Sequence, residues 1–209
     1  QLLLGLVNGS FYAILSLGLA VIFGLLNVIN FAHGALFMMG AVITWMAMNY
    51  FGINYWLMLV LAPLVVGVFG VLIERLLLRW IYKLDHLYGL LLTLGLTLLI
   101  EGFFRSIYGV SGLGYDTPEL LEGATNLGFM FLPNYRAWVI GASLLVCLGT
   151  WFVIERTKLG GYLRAATENP QIVQAFGINV PRMITLTYGF GVALAALAGV
   201  MAAPIYQVS

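Results

Sequence analysis

Residues 27–34 read NVINFAHG, and this short polar stretch, called here the polar island, interrupts a very apolar part of the chain. No Asp, Glu, Lys or Arg occurs before Glu74, so His33 is the only earlier side chain that titrates near neutral pH. In hydrocarbon an unsatisfied polar group costs several kcal/mol, so such groups must face protein or a water-filled cavity. The island therefore predicts a buried polar site or the lining of a path.

The composition identifies an integral membrane protein. Of the 209 residues 62% are hydrophobic and only 8% are charged, whereas a soluble domain is about 25% charged. So few charges could not cover the surface of a soluble protein. The net charge of +1 provides no electrostatic footprint for nucleic acid, and the single cysteine, Cys147, excludes an internal disulfide.

Six apolar runs are long enough to cross a membrane, which takes about 20 residues in a helix. They are residues 2–26, 34–50, 55–78, 87–108, 137–154 and 183–203. Alternation with a period of two residues is absent, which argues against a β-barrel. Small residues recur every four positions in the last run, at Gly191, Ala195, Gly199 and Ala203, which predicts that this helix packs closely against protein.

The basic residues predict the orientation. Seven of the nine Lys and Arg residues lie around the connections after the third and fifth runs, and only Arg105 and Arg136 flank the acidic segment 109–135. Because Lys and Arg accumulate on the cytoplasmic side, we expect the two basic connections inside and residues 109–135 outside. The polar island then lies toward the cytoplasmic side.

The second basic connection, residues 155–181, is called here the knob and reads ERTKLGGYLRAATENPQIVQAFGINVP. Its length exceeds that of a simple turn. The pattern predicts a break at Gly160-Gly161, a short helix over 162–167, and a second helix from Pro170 to Phe176 that Gly177 ends. Two interpretations remain open: a compact protrusion that docks a cytoplasmic partner, or an amphipathic surface helix lying on lipid.

Several polar residues within the predicted spans could either line a solute path or only form hydrogen bonds that hold helices. Candidate path-lining groups are Asn27, Asn30, His33, Thr93 and Thr97. The two Thr hydroxyls could instead bond to carbonyls one turn back in their own helix, and His33 could cap a helix or bond to another.

Charged residues near the span ends are expected to anchor helices. Glu74 and Arg75 are expected at the cytoplasmic end of the third span. Glu101 and Arg105 are four apart with the acid first, which favours an ion pair, and Arg164 and Glu168 have the same spacing.

Three separated motifs carry a resemblance to a known family. They are the NxxNFAHG island followed by Met38-Met39-Gly40-Ala41, the tripeptide Thr93-Leu94-Gly95, and residues 156–182. Together they resemble the permeases of branched-chain amino acid ABC transporters, closer to the LivH type than to the LivM type. The resemblance covers essentially the whole chain. It implies an all-α polytopic bundle of the type II ABC importer kind, with residues 1–209 as one permease domain that contains a coupling loop at 155–181.

The same resemblance implies partners and a place in the cell. Such a permease forms the translocation path with a second, LivM-like permease in the lipid of the bacterial inner membrane. Two cytoplasmic ATPases bind ATP and Mg²⁺, and a periplasmic binding protein delivers branched-chain or related small amino acids. The chain itself has no GxxxxGK motif, so we expect a transport subunit without its own cofactor or catalytic residues, and no nucleic-acid partner.

Family residues map onto this sequence at two places. The expected ATPase-coupling residues are Gly161, Arg164, Ala165, Ala166, Thr167, Glu168, Asn169, Ala175 and Gly177. The polar island matches the family only as a motif, and this match adds Gly34 to the expected path residues Asn27, Asn30 and His33. Such permeases continue with further helices after the equivalent of Ala203-Pro204, so we expect helices beyond Ser209, and the start at Gln1 suggests a missing leader or an engineered start.

The sequence is also compatible with two rival functions. The first is a secondary transporter or channel that uses a broken helix at 27–34, although no Asp or Glu near the midplane offers proton coupling. The second is an intramembrane serine protease, because residues 109–112 match the GxSG pattern of rhomboid proteases, with Ser111 as nucleophile and His33 or His86 as base. The predicted topology places His86 on the opposite side from Ser111.

Overall fold

The structure is a computed structural model that describes residues 2–26, 29–82, 84–109, 114–115, 117–126 and 131–206. Its helices are α1 Leu2–Leu26, α2 His33–Phe51, α3 Tyr55–Ile73, α4 Arg79–Ile81, α5 His86–Tyr108, α6 Asn134–Arg156, α7 Lys158–Glu168, α8 Pro170–Ala175 and α9 Val180–Ala202. A π-helical turn, Glu74–Leu78, joins α3 to α4. Six of these described segments are long and apolar enough to span a membrane, and they match the six predicted runs within a few residues.

Helix α9 is the centre of the bundle and packs against α1, α2 and α3. Small residues make this possible, since a methyl group built on Gly199 would lie 2.0 Å from the carbonyl oxygen of Phe37 in α2. At Gly40 in α2 the corresponding distance to the carbonyl oxygen of Ala196 is 2.5 Å. The backbones touch at these points, so the predicted close packing of the last helix is confirmed.

Two ends of the bundle differ in chemistry. At one end, the hairpin end, strands β1 Ala124–Asn126 and β2 Phe131–Pro133 pair antiparallel, a short element that the sequence did not predict. Beneath it the hydroxyls of Tyr55 and Tyr135 lie 2.7 Å apart, and Tyr135 donates to the carbonyl of Met201 at 2.8 Å. The other end, the knob end, carries the polar island, the π-helical turn and the knob.

Helices α5 and α6 leave most of their apolar surface uncovered. Large exposed side chains line both of them: Leu91, Leu98, Leu99, Leu144, Leu145 and Leu148. In a membrane such surfaces face lipid or another membrane protein.

Two predicted ion pairs are not formed. Glu101 and Arg105 make no ion pair in the described structure, because Arg105 is exposed, where a guanidinium gains little from pairing. Arg164 pairs with Glu155 at 3.3 Å and not with Glu168, because α7 folds back on the end of α6.

One prediction about the knob is also wrong. Gly160-Gly161 does not break a helix: α7 begins at Lys158 and runs through both glycines. Glu74 directly follows α3, at the predicted place in the chain, and is almost completely buried against α9.

Candidate functional site

The polar island lies between α1 and α2, and the structure describes it from Ile29 onward. Asn27, one of the expected path residues, lies outside the described residues. Asn30 and His33 are both buried, whereas Gly34 is exposed and has open space where a side chain would stand. Two of the island's polar side chains are therefore enclosed by this chain alone.

A hydrogen bond between helices holds His33. Its ring nitrogen Nε2 lies 2.9 Å from the carbonyl oxygen of Leu15 in α1. A carbonyl only accepts, so Nε2 carries the hydrogen in this bond. The ring also lies against Gly18, where an added methyl group would come 3.1 Å from its Cε1 atom. The interpretation of His33 as a partner in an interhelix bond is confirmed, and its Nδ1 atom has no hydrogen-bond partner among the described residues.

Helix α5 holds the island from another side through Thr93. The backbone N–H of Phe31 donates to the Thr93 hydroxyl at 3.2 Å, while that hydroxyl donates to the carbonyl of Gly89 at 2.9 Å. Thr97 donates to the carbonyl of Thr93 at 2.9 Å. The predicted bonds within the helix are thus confirmed for both Thr residues, and Thr93 also fixes the island. A role of either hydroxyl in a solute path stays a prediction.

The knob is built from two capped helices. The side chain of Asn169 accepts from the N–H of Ile172 at 3.1 Å, and Pro170 occupies the first turn of α8, where its missing N–H is not needed. Gly177 follows with a φ of +81°, a left-handed conformation that glycine adopts without strain. The predicted second helix and its stop are confirmed.

Helix α7 is pressed against the end of α6. A methyl group on Gly160 would lie 1.8 Å from the carbonyl oxygen of Ile154, so only glycine fits there. The guanidinium of Arg164 donates to the same carbonyl at 2.7 Å and pairs with Glu155. Arg164 therefore braces the knob, and Gly160 permits the brace. The sequence analysis included Gly161 among the coupling residues but assigned Gly160 no role in packing. A glycine pair indicates a helix break as long as the contact of Gly160 with Ile154 is unknown.

The expected coupling residues mostly lie on the surface of the knob. Those with exposed positions are Gly161, Arg164, Ala165, Thr167, Glu168, Asn169, Ala175 and Gly177, and Ala166 is half-buried. Beside them Ile172 and Phe176 are 54% and 81% exposed, while Val173 points inward. Ile172 and Phe176 are four apart and so share one side of α8 and its C-terminal turn. This exposed apolar pair was not singled out from the sequence.

A buried carboxyl group lies where the π-helical turn meets α9. Glu74 is 1% exposed, and the Thr185 hydroxyl in α9 donates to its Oε2 atom at 2.7 Å. The signal available in the sequence was its position as the first charge after a long apolar run.

Comparison with known proteins decides the family. The family described as "Branched-chain amino acid transport system / permease component" matches residues 1–209. The chain belongs to this family. The predicted resemblance, the helical ABC permease fold and the multi-pass inner-membrane localisation are therefore confirmed, and the chain is a transport subunit.

Curated relatives agree with the family assignment. The chain is 28% identical to the high-affinity branched-chain amino acid transport system permease protein LivH of Escherichia coli K12 over 225 residues, which is all of this chain and 71% of the relative. It is also 28% identical to BraD of Pseudomonas aeruginosa, with the same coverage of both chains. A probable LivM permease of Methanocaldococcus jannaschii is 32% identical over 92 residues, 42% of this chain and 25% of that one. No solved structure matches the chain.

Proposed function

We propose that this permease is one half of the membrane channel of an ATP-driven importer. With a second, LivM-like permease it forms a path for branched-chain or related small amino acids that a periplasmic binding protein delivers. Two cytoplasmic ATPases bind ATP and Mg²⁺ and supply the energy. The single observation that carries this proposal is the knob, a braced protrusion with an exposed apolar pair at its tip.

The knob suits a mechanical role because both of its ends are tied to membrane-spanning helices. Arg164 and Gly160 fix α7 to the end of α6, and the Asn179 side chain accepts from the N–H of Arg182 to cap the start of α9. Moving a two-state gate from 1:99 to 99:1 takes about 5.5 kcal/mol of differential binding. A partner that grips α8 could deliver such energy to α6 and α9 without first deforming the knob.

The tip of the knob offers a place for the partner to grip. Burying the Phe176 side chain would contribute about 1.5–3 kcal/mol, and Ile172 a similar amount. The preceding coupling residues, from Arg164 to Asn169, are polar or small and mostly exposed, and we propose that they supply the rim of this contact. An apolar centre with a polar rim is the usual anatomy of a specific protein interface.

The path itself is proposed to be polar but little charged. The residues assigned to it remain Asn27, Asn30, His33, Gly34, Thr93 and Thr97. Neutral hydrogen-bonding groups suit a zwitterion that has to pass without being retained, because strong charges would hold it. Tight and selective binding is then left to the delivery protein.

The second permease is proposed to cover part of the uncovered surface of α5 and α6. Similarity to both LivH and LivM relatives supports a pore built from two related permeases. Lipid would cover the remainder.

Reconstitution of the complete transporter tests this function. Proteoliposomes containing both permeases, both ATPases and the binding protein are assayed for uptake against a panel of amino acids, with ATP or with an imposed ion gradient. We expect uptake of branched-chain amino acids with ATP only. Uptake driven by an ion gradient without ATPases would contradict the proposal and favour a secondary transporter.

A charge reversal in the knob tests the coupling assignment. Glu168→Lys is expected to reduce uptake at least roughly tenfold, equivalent to about 1.4 kcal/mol, while ATP hydrolysis continues, because it repels or displaces the docked partner. Glu122→Lys is the matched control, since Glu122 is also exposed but lies at the hairpin end. Normal uptake in the Glu168 variant would contradict the assignment.

A further inference from the structure

Glu74 has an environment that is unusual for a carboxyl group. It is buried, and among the described residues no Lys, Arg or His forms an ion pair with it, while its basic neighbours Arg75 and Arg79 are exposed. A carboxyl group buried without a partner charge is costly. It also lies in the π-helical turn, an irregularity that is often found at functional sites.

The hydrogen bond that Thr185 gives to Glu74 has a ready substitute. The Thr185 hydroxyl lies 2.7 Å from Oε2 of Glu74 and 3.0 Å from the carbonyl oxygen of Pro181 in its own helix. One hydroxyl has one hydrogen and cannot donate to both acceptors at the same time. If α9 slides past α3 along its own axis, Thr185 loses Glu74 and keeps Pro181, so no buried donor is left unpaired.

Glu74 also has substitute donors. Tyr82 and Tyr188 belong to the same buried cluster as Ile73 and Leu78, which lie on either side of Glu74 in the chain, and Ala32 of the polar island belongs to that cluster too. Yet the hydroxyls of both tyrosines and the Nδ2 atom of Asn30 have no hydrogen-bond partner within the described residues. Tyr188 is 0% exposed and Asn30 3%. Buried donors without partners are rare and call for an explanation.

The cluster joins the parts that would have to move together. Thr185 stands in the second turn of α9, which begins directly after the knob. Glu74 belongs to the π-helical turn after α3, and Asn30 belongs to the polar island. A displacement of the knob along α9 would therefore reach Thr185 first. Of the unpaired donors, Tyr188 lies three residues further along α9 and would move with it, whereas Tyr82 directly follows α4.

We propose that Glu74 is a positioning residue that exchanges hydrogen-bond partners when the transporter changes state. In the state seen here it accepts from Thr185. In the alternate state Thr185 donates to Pro181, and Glu74 accepts from Tyr82 or Tyr188. This inference rests on the proposed ATP-driven function.

Opposite effects of two sets of variants are the signature of such an exchange. Thr185→Val removes a bond of the present state and shifts the population toward the alternate state. The double variant Tyr82→Phe, Tyr188→Phe removes donors that are needed only in the alternate state and shifts it the other way. Removing hydroxyls that have no partner in the present state should not weaken that state. In a purely structural cluster, every variant would instead lower activity in the same direction.

The experiment uses the complete reconstituted transporter and measures ATP hydrolysis in the absence of solute, which reports the balance of the two states. We expect Thr185→Val to change this rate by about threefold or more in one direction and the tyrosine pair to change it in the other. Combining all three substitutions should bring the rate back toward wild type. Thr187→Val is the matched control, because Thr187 is also buried in α9 but makes no hydrogen bond to Glu74; its rate should stay within twofold of wild type.

Several results would overturn the inference. The first is a change of the hydrolysis rate in the same direction for Thr185→Val and the tyrosine pair. The second is an unchanged rate in both, and the third is an effect of Thr187→Val as large as that of Thr185→Val. Thr185→Ser keeps the hydroxyl and should restore the wild-type rate, and Thr185→Ala provides the same test should valine prevent assembly of the complex. Failure of the proposed function would appear differently, as wild-type transporter that shows no ATP-dependent uptake at all.

Discussion

The last helix and the knob are neighbours in sequence but follow opposite physical rules. Most residues of α9 are buried, and its small side chains let three other helices approach until their backbones touch. The knob is mostly exposed, with hydrogen bonds from Arg164 to the end of α6 and from Arg182 to the Asn179 cap of α9. A change in α9 should therefore be felt as lost folding, and a change on the knob as lost binding to a partner.

The largest effect is expected where α9 meets α2. Gly199→Ala would place a methyl group 2.0 Å from the backbone of Phe37, which has no flexible end that could yield. Overpacking costs about 1–3 kcal/mol and occasionally more, and we expect the upper end, with a thermal midpoint in detergent roughly 5–10 °C lower. Gly141→Ala in α6, where the same methyl group meets nothing within 4 Å, is the control. Equal midpoints for the two variants would show that α9 is not packed as described.

The adjacent glycines of the knob should respond with opposite signs. Gly160→Ala meets the carbonyl of Ile154 at 1.8 Å and is expected to loosen α7, whereas Gly161→Ala meets nothing within 4 Å. Alanine is preferred to glycine inside a helix by about 1 kcal/mol, so the second variant should stabilise α7 slightly. Limited proteolysis of the knob measures both, with cleavage expected to be about tenfold faster for Gly160→Ala and slower for Gly161→Ala. Equal cleavage rates for the two variants would instead support the prediction that the helix breaks at Gly160-Gly161.

These glycines also show where sequence reasoning succeeds and where it ends. The membrane spans could be predicted because hydrocarbon imposes length and polarity on each segment separately. Neither the role of Gly160 nor the burial of Glu74 follows from local pattern, because each depends on a group distant along the chain or across the bundle. The path and coupling residues could be named from the resemblance, but only the fold shows that Arg164 braces the knob and that Thr93 holds the island.

A smaller effect, limited to binding, is expected at the tip of the knob. Phe176→Ala should leave the thermal midpoint unchanged, because the side chain is 81% exposed. Its loss should weaken binding of the ATPases by roughly 10–100-fold, the equivalent of the apolar area no longer buried. Titration of the purified ATPase with solubilised permease measures this affinity.

The control for the tip has the same exposure at the opposite end. Leu120 is also 81% exposed but lies at the hairpin end, so Leu120→Ala should leave the affinity unchanged. The proposal would be contradicted if the Phe176→Ala variant bound ATPase normally and its knob no longer associated with the surface of lipid vesicles. The knob would then be a surface helix on the membrane and not a docking element.

The smallest effect separates two roles of His33. His33→Ala removes one hydrogen bond to Leu15, which is worth about 0.5–1.5 kcal/mol net, and should lower uptake several-fold without changing ATPase affinity. His33→Gln offers an amide N–H to the same carbonyl and should restore the stability. If the ring also contacts solute, uptake will stay low in the Gln variant although the fold is repaired. If uptake returns together with stability, or never falls in the Ala variant, the polar island acts by packing α1 against α2 and not by lining the path.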